Sequence, residues 1–208
     1  MGNLIILEEK PVKAKGLNPH NIINITKLKE YFFEEDYQKL RLLKEIPKID
    51  LPHENLTLLY PGCGADIFYP LLYLQELFPN VKEANFIFVD EENALGIIKT
   101  LLDEVGVNFA EDKESIHFYW GKKLIHLQFL DQKIQEAFSH LPSYQIYFEK
   151  AFRVMREQIP DYEEHIFKRL ASPGVLISDS GFGSIPLERI EISSELSTYG
   201  EMILGIKR

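Results

Sequence analysis

Two short stretches of this chain hold residue types that could handle a ligand: YPGCGAD at 60–66 and FVDEEN at 88–93. Gly62 and Gly64 lie where an apolar run gives way to a helical pattern. Glycine at such a turn lets the backbone approach a bound group, because no Cβ intervenes. The helix beyond would aim unpaired N–H groups at the same place. Asp90 ends the next apolar run, 26 residues past Gly64, where a carboxylate can accept two hydrogen bonds from a ribose diol. These residues together suit an adenosine-containing cofactor. Plainer readings stand beside that one. The glycines could serve only a tight turn, and Asp90, followed by Glu91, Glu92 and Asn93, could cap a helix.

The details narrow the cofactor. A nicotinamide or flavin enzyme wants a third glycine three residues after the second, and Ile67 holds that slot. No P-loop pattern occurs. Cys63 is the single cysteine, which excludes an internal disulfide and a four-cysteine zinc site. It reads as a small loop residue, since the sequence sets no base beside it. The six histidines show no H-x-x-x-H spacing, so no metal site is expected; His117 and His126 fall opposite each other across a hairpin.

The elements that must position these residues follow from periodicity. Residues 1 to about 25 read as irregular, then one or two helices run from Thr26 to about 46, with Pro47 and Pro52 flanking a connector. Strands are expected at 55–62, 85–93, 124–130, 144–150 and 172–181, with helices at 66–78, 93–105, 131–140 and 162–170. SIHFYW and LIHLQFLD suggest a hairpin turning near Gly121. Segments 189–193 and 201–208 read as a closing strand pair joined through Thr198–Gly200. This order predicts an α/β fold: a mostly parallel seven-stranded sheet with helices on both faces and an antiparallel C-terminal strand. A partly helical N-terminal extension over 1–50, able to act as a lid, would precede a domain over 51–208.

On these motifs and their order, residues 55–208 resemble the class I, Rossmann-like S-adenosylmethionine-dependent methyltransferases. Gly62 and Gly64 match the first two glycines of that family's first motif, and Cys63 is a common residue between them. Tyr60 stands where the family has an acid, and Asp66 where it has a third glycine. Asp90 matches the ribose-binding acid. LASPGVLISDS leads into a fifth strand as in the family, and the last two segments resemble its strand six and antiparallel strand seven. The resemblance implies S-adenosylmethionine as cofactor, held by Tyr60, Gly62, Cys63, Gly64, Asp66, Asp90, Glu91 and Asp131. Asp131 and its neighbour Gln132 end the third core strand, where the family touches adenine; a helix start explains them equally well. Glu149 and Lys150 end the fourth strand at the mouth of the sheet, with a surface ion pair as the alternative. Glu149 is the candidate general base. The family's asparagine–proline–proline–aromatic motif is absent from FEKAF (148–152), so a small-molecule acceptor is expected. A methyltransferase-like binding or regulatory protein without catalysis is the second reading.

Composition bounds the partners. The 208 residues are 45% hydrophobic, ample for one core, and their net charge of −9 disfavours nucleic acid. No apolar run reaches transmembrane length, and the N-terminus lacks a signal-peptide pattern, so a cytoplasmic protein is expected.

Overall fold

The computed structural model describes residues 7–113, 115–183, 185–196 and 201–208. Helices α1 (Ile25–Lys29) and α2 (Glu34–Lys39) come first, then a 3₁₀ turn, Leu40–Lys44. An alternating run follows: β1 (Asn55–Pro61), α3 (Phe68–Leu77), β2 (Glu83–Asp90) and α4 (Leu95–Glu104). A meander of β3 (Phe109–Asp112), β4 (Ser115–Trp120) and β5 (Lys123–Asp131) comes next. Alternation resumes with α5 (Ile134–Ala137), β6 (Tyr144–Glu149), α6 (Arg153–Arg156), α7 (Tyr162–Arg169) and β7 (Leu170–Ser178). The chain closes with β8 (Glu188–Arg189) and β9 (Ile203–Lys207).

Among the described residues the strands form one sheet in the order β3-β4-β5-β2-β1-β6-β7-β9-β8. The five central strands β5, β2, β1, β6 and β7 are parallel. At one edge β4 and β3 add antiparallel, and at the other β9 runs antiparallel between β7 and β8. The sheet therefore has nine strands, not the expected seven. The turn at Gly121 forms as expected, but β3 escapes sequence reading because its four residues, FAED, show too short an alternation. The closing strand expected at 189–193 is only Glu188–Arg189; the Ile190 N–H adds one further bond to Leu204 O at 2.9 Å. The expected turn at Thr198–Gly200 lies outside the described residues.

Strand alternation divides the core. Leu58, Tyr60, Phe86, Phe88, Ile146 and Phe148 face α3, α4 and the N-terminal segment. Leu59, Ile87, Val89, Tyr147 and Leu176 face α5 and α7. Covered on both faces, these strands read as nearly continuous apolar runs, as buried parallel strands do. Leu28, Phe32, Leu40, Leu43, Ile46, Ile49 and Leu51 join the first cluster, so the N-terminal segment supplies core as well as cover. Lys10 and Lys27 reach Glu104 at the end of α4, and the Tyr31 hydroxyl donates to the same carboxylate. That leads the chain along α4 and back over the glycine turn. Buried Lys123 donates to Phe78 O and Val81 O, each at 2.7 Å, satisfying carbonyls beyond the end of α3.

Candidate active site

The end of β1 and the end of β2 are bonded to each other. The Gly62 N–H donates to Val89 O at 2.8 Å, and the Gly64 N–H donates to Asp90 Oδ2, also at 2.8 Å. The second carboxylate oxygen, Oδ1, accepts the Glu92 N–H at 3.3 Å. Gly62 and Gly64 have φ of +61° and +49°, the left-handed region that favours glycine. A Cβ built on Gly64 would meet nothing within 4 Å, so that face of the turn is open. Asp90 thus acts as an anchor for the turn while keeping acceptor capacity, since a carboxylate has about four lone-pair sites.

Two cavities flank the turn, and Gly62 and Asp90 line both. The first, about 480 Å³, is walled by Tyr60, Asp66, Tyr69 and Lys150 and covered by Leu7, Tyr31 and Phe32. Cys63 and Gly64 line it too. The second, about 430 Å³, is bounded by Glu91, Gln132, Ile134, Phe152 and Ile159. Of the residues expected from sequence, Tyr60, Gly62, Cys63, Gly64, Asp66, Asp90 and Glu91 are brought to these cavities. Asp131 is not. It pairs with Asp90 in the β2–β5 register but is exposed, and its neighbour Gln132 lines the second cavity instead. The sheet's alternation sends successive side chains opposite ways.

Tyr60 and Asp66 form a unit. The tyrosine hydroxyl donates to Asp66 Oδ2 at 2.8 Å, and Asp66 Oδ1 accepts the Tyr69 N–H at 3.3 Å, in the manner of a helix cap for α3. Burial raises the Asp66 pKa to about 6, against the opposing pull of the Tyr60 hydroxyl and the Lys150 charge. Burial and the Asp66 charge push the Tyr60 hydroxyl well up, so it remains a donor. The Lys150 ammonium lies 4.4 Å from the centroid of the Tyr69 ring. Burial, then the charges of Asp90 and Asp66, push the Cys63 thiol up, so it is no thiolate nucleophile.

Glu149 is placed differently. It is 1% exposed and lines neither cavity. Its Oε1 accepts Ser178 Oγ at 2.7 Å and Ser180 Oγ at 3.0 Å, and lies 2.9 Å from Arg156 Nη1. Its Oε2 accepts the Tyr147 hydroxyl. Burial raises its pKa against the Arg156 charge. The expected base is thus enclosed by four polar side chains, Ser178, Ser180, Arg156 and Tyr147, rather than open to a substrate. His117 and His126 do meet across β4 and β5, with Nδ1 atoms 2.7 Å apart. Among the described residues no group of three or more His, Cys, Asp or Glu could hold a metal ion, and no helix is long and apolar enough to cross a membrane.

Ala151 and Phe152, just beyond β6, carry no ligand-binding signal in the sequence. Ala151 has φ +56°, which its residue type does not signal, and its N–H donates to Asp179 Oδ1 at 2.9 Å.

The chain has the class I methyltransferase-like fold that its sequence resembles. That statement rests on the parallel strand order, the glycine turn after β1 and the antiparallel last strand. No family profile matches the sequence, and no curated protein matches it. Solved structures similar in shape include the following three. A conserved hypothetical protein of Streptococcus pyogenes has TM-score 0.45 and 11% identity, over 74% of this chain and 87% of that one. A methyltransferase from Geobacter sulfurreducens has TM-score 0.44 and 10% identity, over 88% and 93%. A putative class I S-adenosylmethionine-dependent methyltransferase from Listeria monocytogenes has TM-score 0.43 and 10% identity, over 90% and 63%.

Proposed function

We propose that the protein binds S-adenosylmethionine along the glycine turn and transfers its methyl group to a small-molecule acceptor. The observation that carries this reading is the Gly64–Asp90 bond at the junction of the two cavities. It holds an open glycine face and a ribose-binding carboxylate in one rigid unit. Each cavity has the size of a small-ligand pocket.

In this reading the adenosine end occupies the second cavity. Asp90 accepts from the ribose diol, Glu91 stands at the rim, and Gln132, not Asp131, faces the base. The amino-acid end occupies the first cavity, where Asp66 accepts its ammonium and Lys150 pairs with its carboxylate. Asp66, presented on Tyr60, thereby supplies the acid missing from position 60. The cofactor, when bound, supplies a methyl group already activated on a sulfonium. The protein's share is then orientation of the acceptor and exclusion of water, under Tyr31 and Phe32. The net charge of −9 supports an acceptor other than nucleic acid, and the proposed setting is the cytoplasm.

A second reading, binding without catalysis, is favoured by one observation: Glu149 is walled off from the cavities. Calorimetric titration with S-adenosylmethionine and S-adenosylhomocysteine tests the cofactor first. Asp90→Ala is expected to weaken binding at least tenfold, about 1.4 kcal/mol. Folded, cofactor-free protein that binds neither compound would end the methyltransferase reading. Binding without methyl transfer across an acceptor screen would favour the second.

A further inference from the structure

Gly62 lines both cavities, whereas Lys150 and Ala151 line only the first and Phe152 only the second. The turn 150–152 therefore crosses the glycine turn between them. The Phe152 ring is seated on Gly62: a Cβ built there would lie 2.1 Å from Cδ2 and 2.5 Å from Cε2. Phe152 is 4% exposed and packs against Tyr162, with ring centroids 5.9 Å apart. Gly62 and Asp90 line both cavities, and a ligand that runs from one to the other over Gly62 meets this ring.

We propose that Lys150–Phe152 is a gate across the ligand groove, closed by Phe152 on Gly62 and opened by a ligand that spans both cavities. The inference rests on the cofactor reading above and adds how the groove admits its occupant. The flanks of the gate are fixed. Before it, Glu149 is held by Ser178, Ser180 and Arg156; after it, Arg156 is held by Glu149 and by Ser180 O at 3.0 Å. Ala151, between them, already has a left-handed backbone that alanine seldom adopts. Its N–H donates to Asp179 Oδ1 at 2.9 Å, so a change of its ψ would swing the ring while that bond and both anchors stay in place, as hinge residues do. The second cavity beside the ring gives it space to turn.

The test compares wild type, Phe152→Ala and the milder Phe152→Leu by calorimetry, with S-adenosylhomocysteine and with adenosine. On the cofactor reading above, S-adenosylhomocysteine would span both cavities and adenosine would fill one. A gate predicts that both variants bind S-adenosylhomocysteine tighter, about fivefold for Phe152→Ala, and gain nothing for adenosine. Circular dichroism confirms folding, and Phe152→Leu decides the matter if Phe152→Ala does not fold. Unchanged or weaker binding of S-adenosylhomocysteine would make Phe152 a fixed wall and overturn the gate, while leaving the cofactor site in place. An equal gain for adenosine would overturn it too. Binding of neither compound by wild type or variants would overturn the cofactor reading and the gate together.

Discussion

Asp66 and Glu149 are both carboxylates beyond or at the end of a parallel strand, and burial holds both above the usual carboxylate range. One faces a cavity and the other is sealed inside the protein. Glu149 shares the parity of Tyr147 along β6, so it turns to the second face of the sheet, toward Arg156, Ser178 and Ser180. Asp66 sits past the strand, in the turn, where the backbone bends it toward Tyr60 and the opening. A strand end sets the layer in which a carboxylate stands; side-chain direction decides whether it meets a ligand.

That contrast can be broken most sharply at Glu149. Glu149→Leu would leave the Arg156 guanidinium buried without its charge partner, at an expected cost of about 3–5 kcal/mol in urea unfolding. Adding Arg156→Met in the same chain is expected to recover most of the loss. A single-variant cost below about 1 kcal/mol would mean that the network is open to water. Asp66→Ala, by comparison, removes a cap-like bond and is expected to cost about 1 kcal/mol. It should weaken S-adenosylhomocysteine binding, whereas Glu149→Gln, which keeps the enclosed shape, should leave it nearly unchanged.

The pH dependence sharpens the same comparison. Asp66 binds its proton more tightly in the folded state, with a pKa of about 6 against an ordinary 3.8. Its contribution to stability is therefore fully present below the ordinary value and is lost as pH rises to about 6. Asp66→Asn should remove that decline from the stability profile; a profile identical to wild type would show that Asp66 is solvated. Glu104 has the opposite sign. The Lys10 ammonium, then the Tyr31 hydroxyl, lower its pKa to about 2, so its contribution is present above the ordinary 4.5 and lost as pH falls toward 2. Glu104→Gln is expected to have the smallest effect, below about 1 kcal/mol at neutral pH, because Lys10 is largely exposed. Faster proteolysis within residues 7–31 of that variant would check the role of Glu104 in holding the N-terminal segment.

Much of the fold was legible. The runs at 55–62, 85–93 and 144–150 are apolar on successive residues because both sheet faces are covered, and all three became central strands. The glycine turn was legible because positive φ at Gly62 and Gly64 needs that residue type. The N-terminal helices came out shorter than the charge-interrupted pattern after Thr26 suggested, since Leu28, Phe32 and Leu43 serve the core from a broken path. Asp131 is exposed while Gln132, one residue on, lines the second cavity, because successive residues turn opposite ways.

By itself the sequence determined the alternation of strands and helices, the glycine turn and the acid at Asp90, because period, glycine conformation and strand-end position are local properties. Only the tertiary structure decided that Tyr60 donates to Asp66, that Glu149 is enclosed with Arg156, and that Phe152 rests on Gly62. Phe152 and Gly62 are far apart in the chain, and between Glu149 and Arg156 the backbone takes an angle at Ala151 that alanine does not announce. Packing of the two sheet faces brings them together, and no local pattern encodes which side chains will then share a wall.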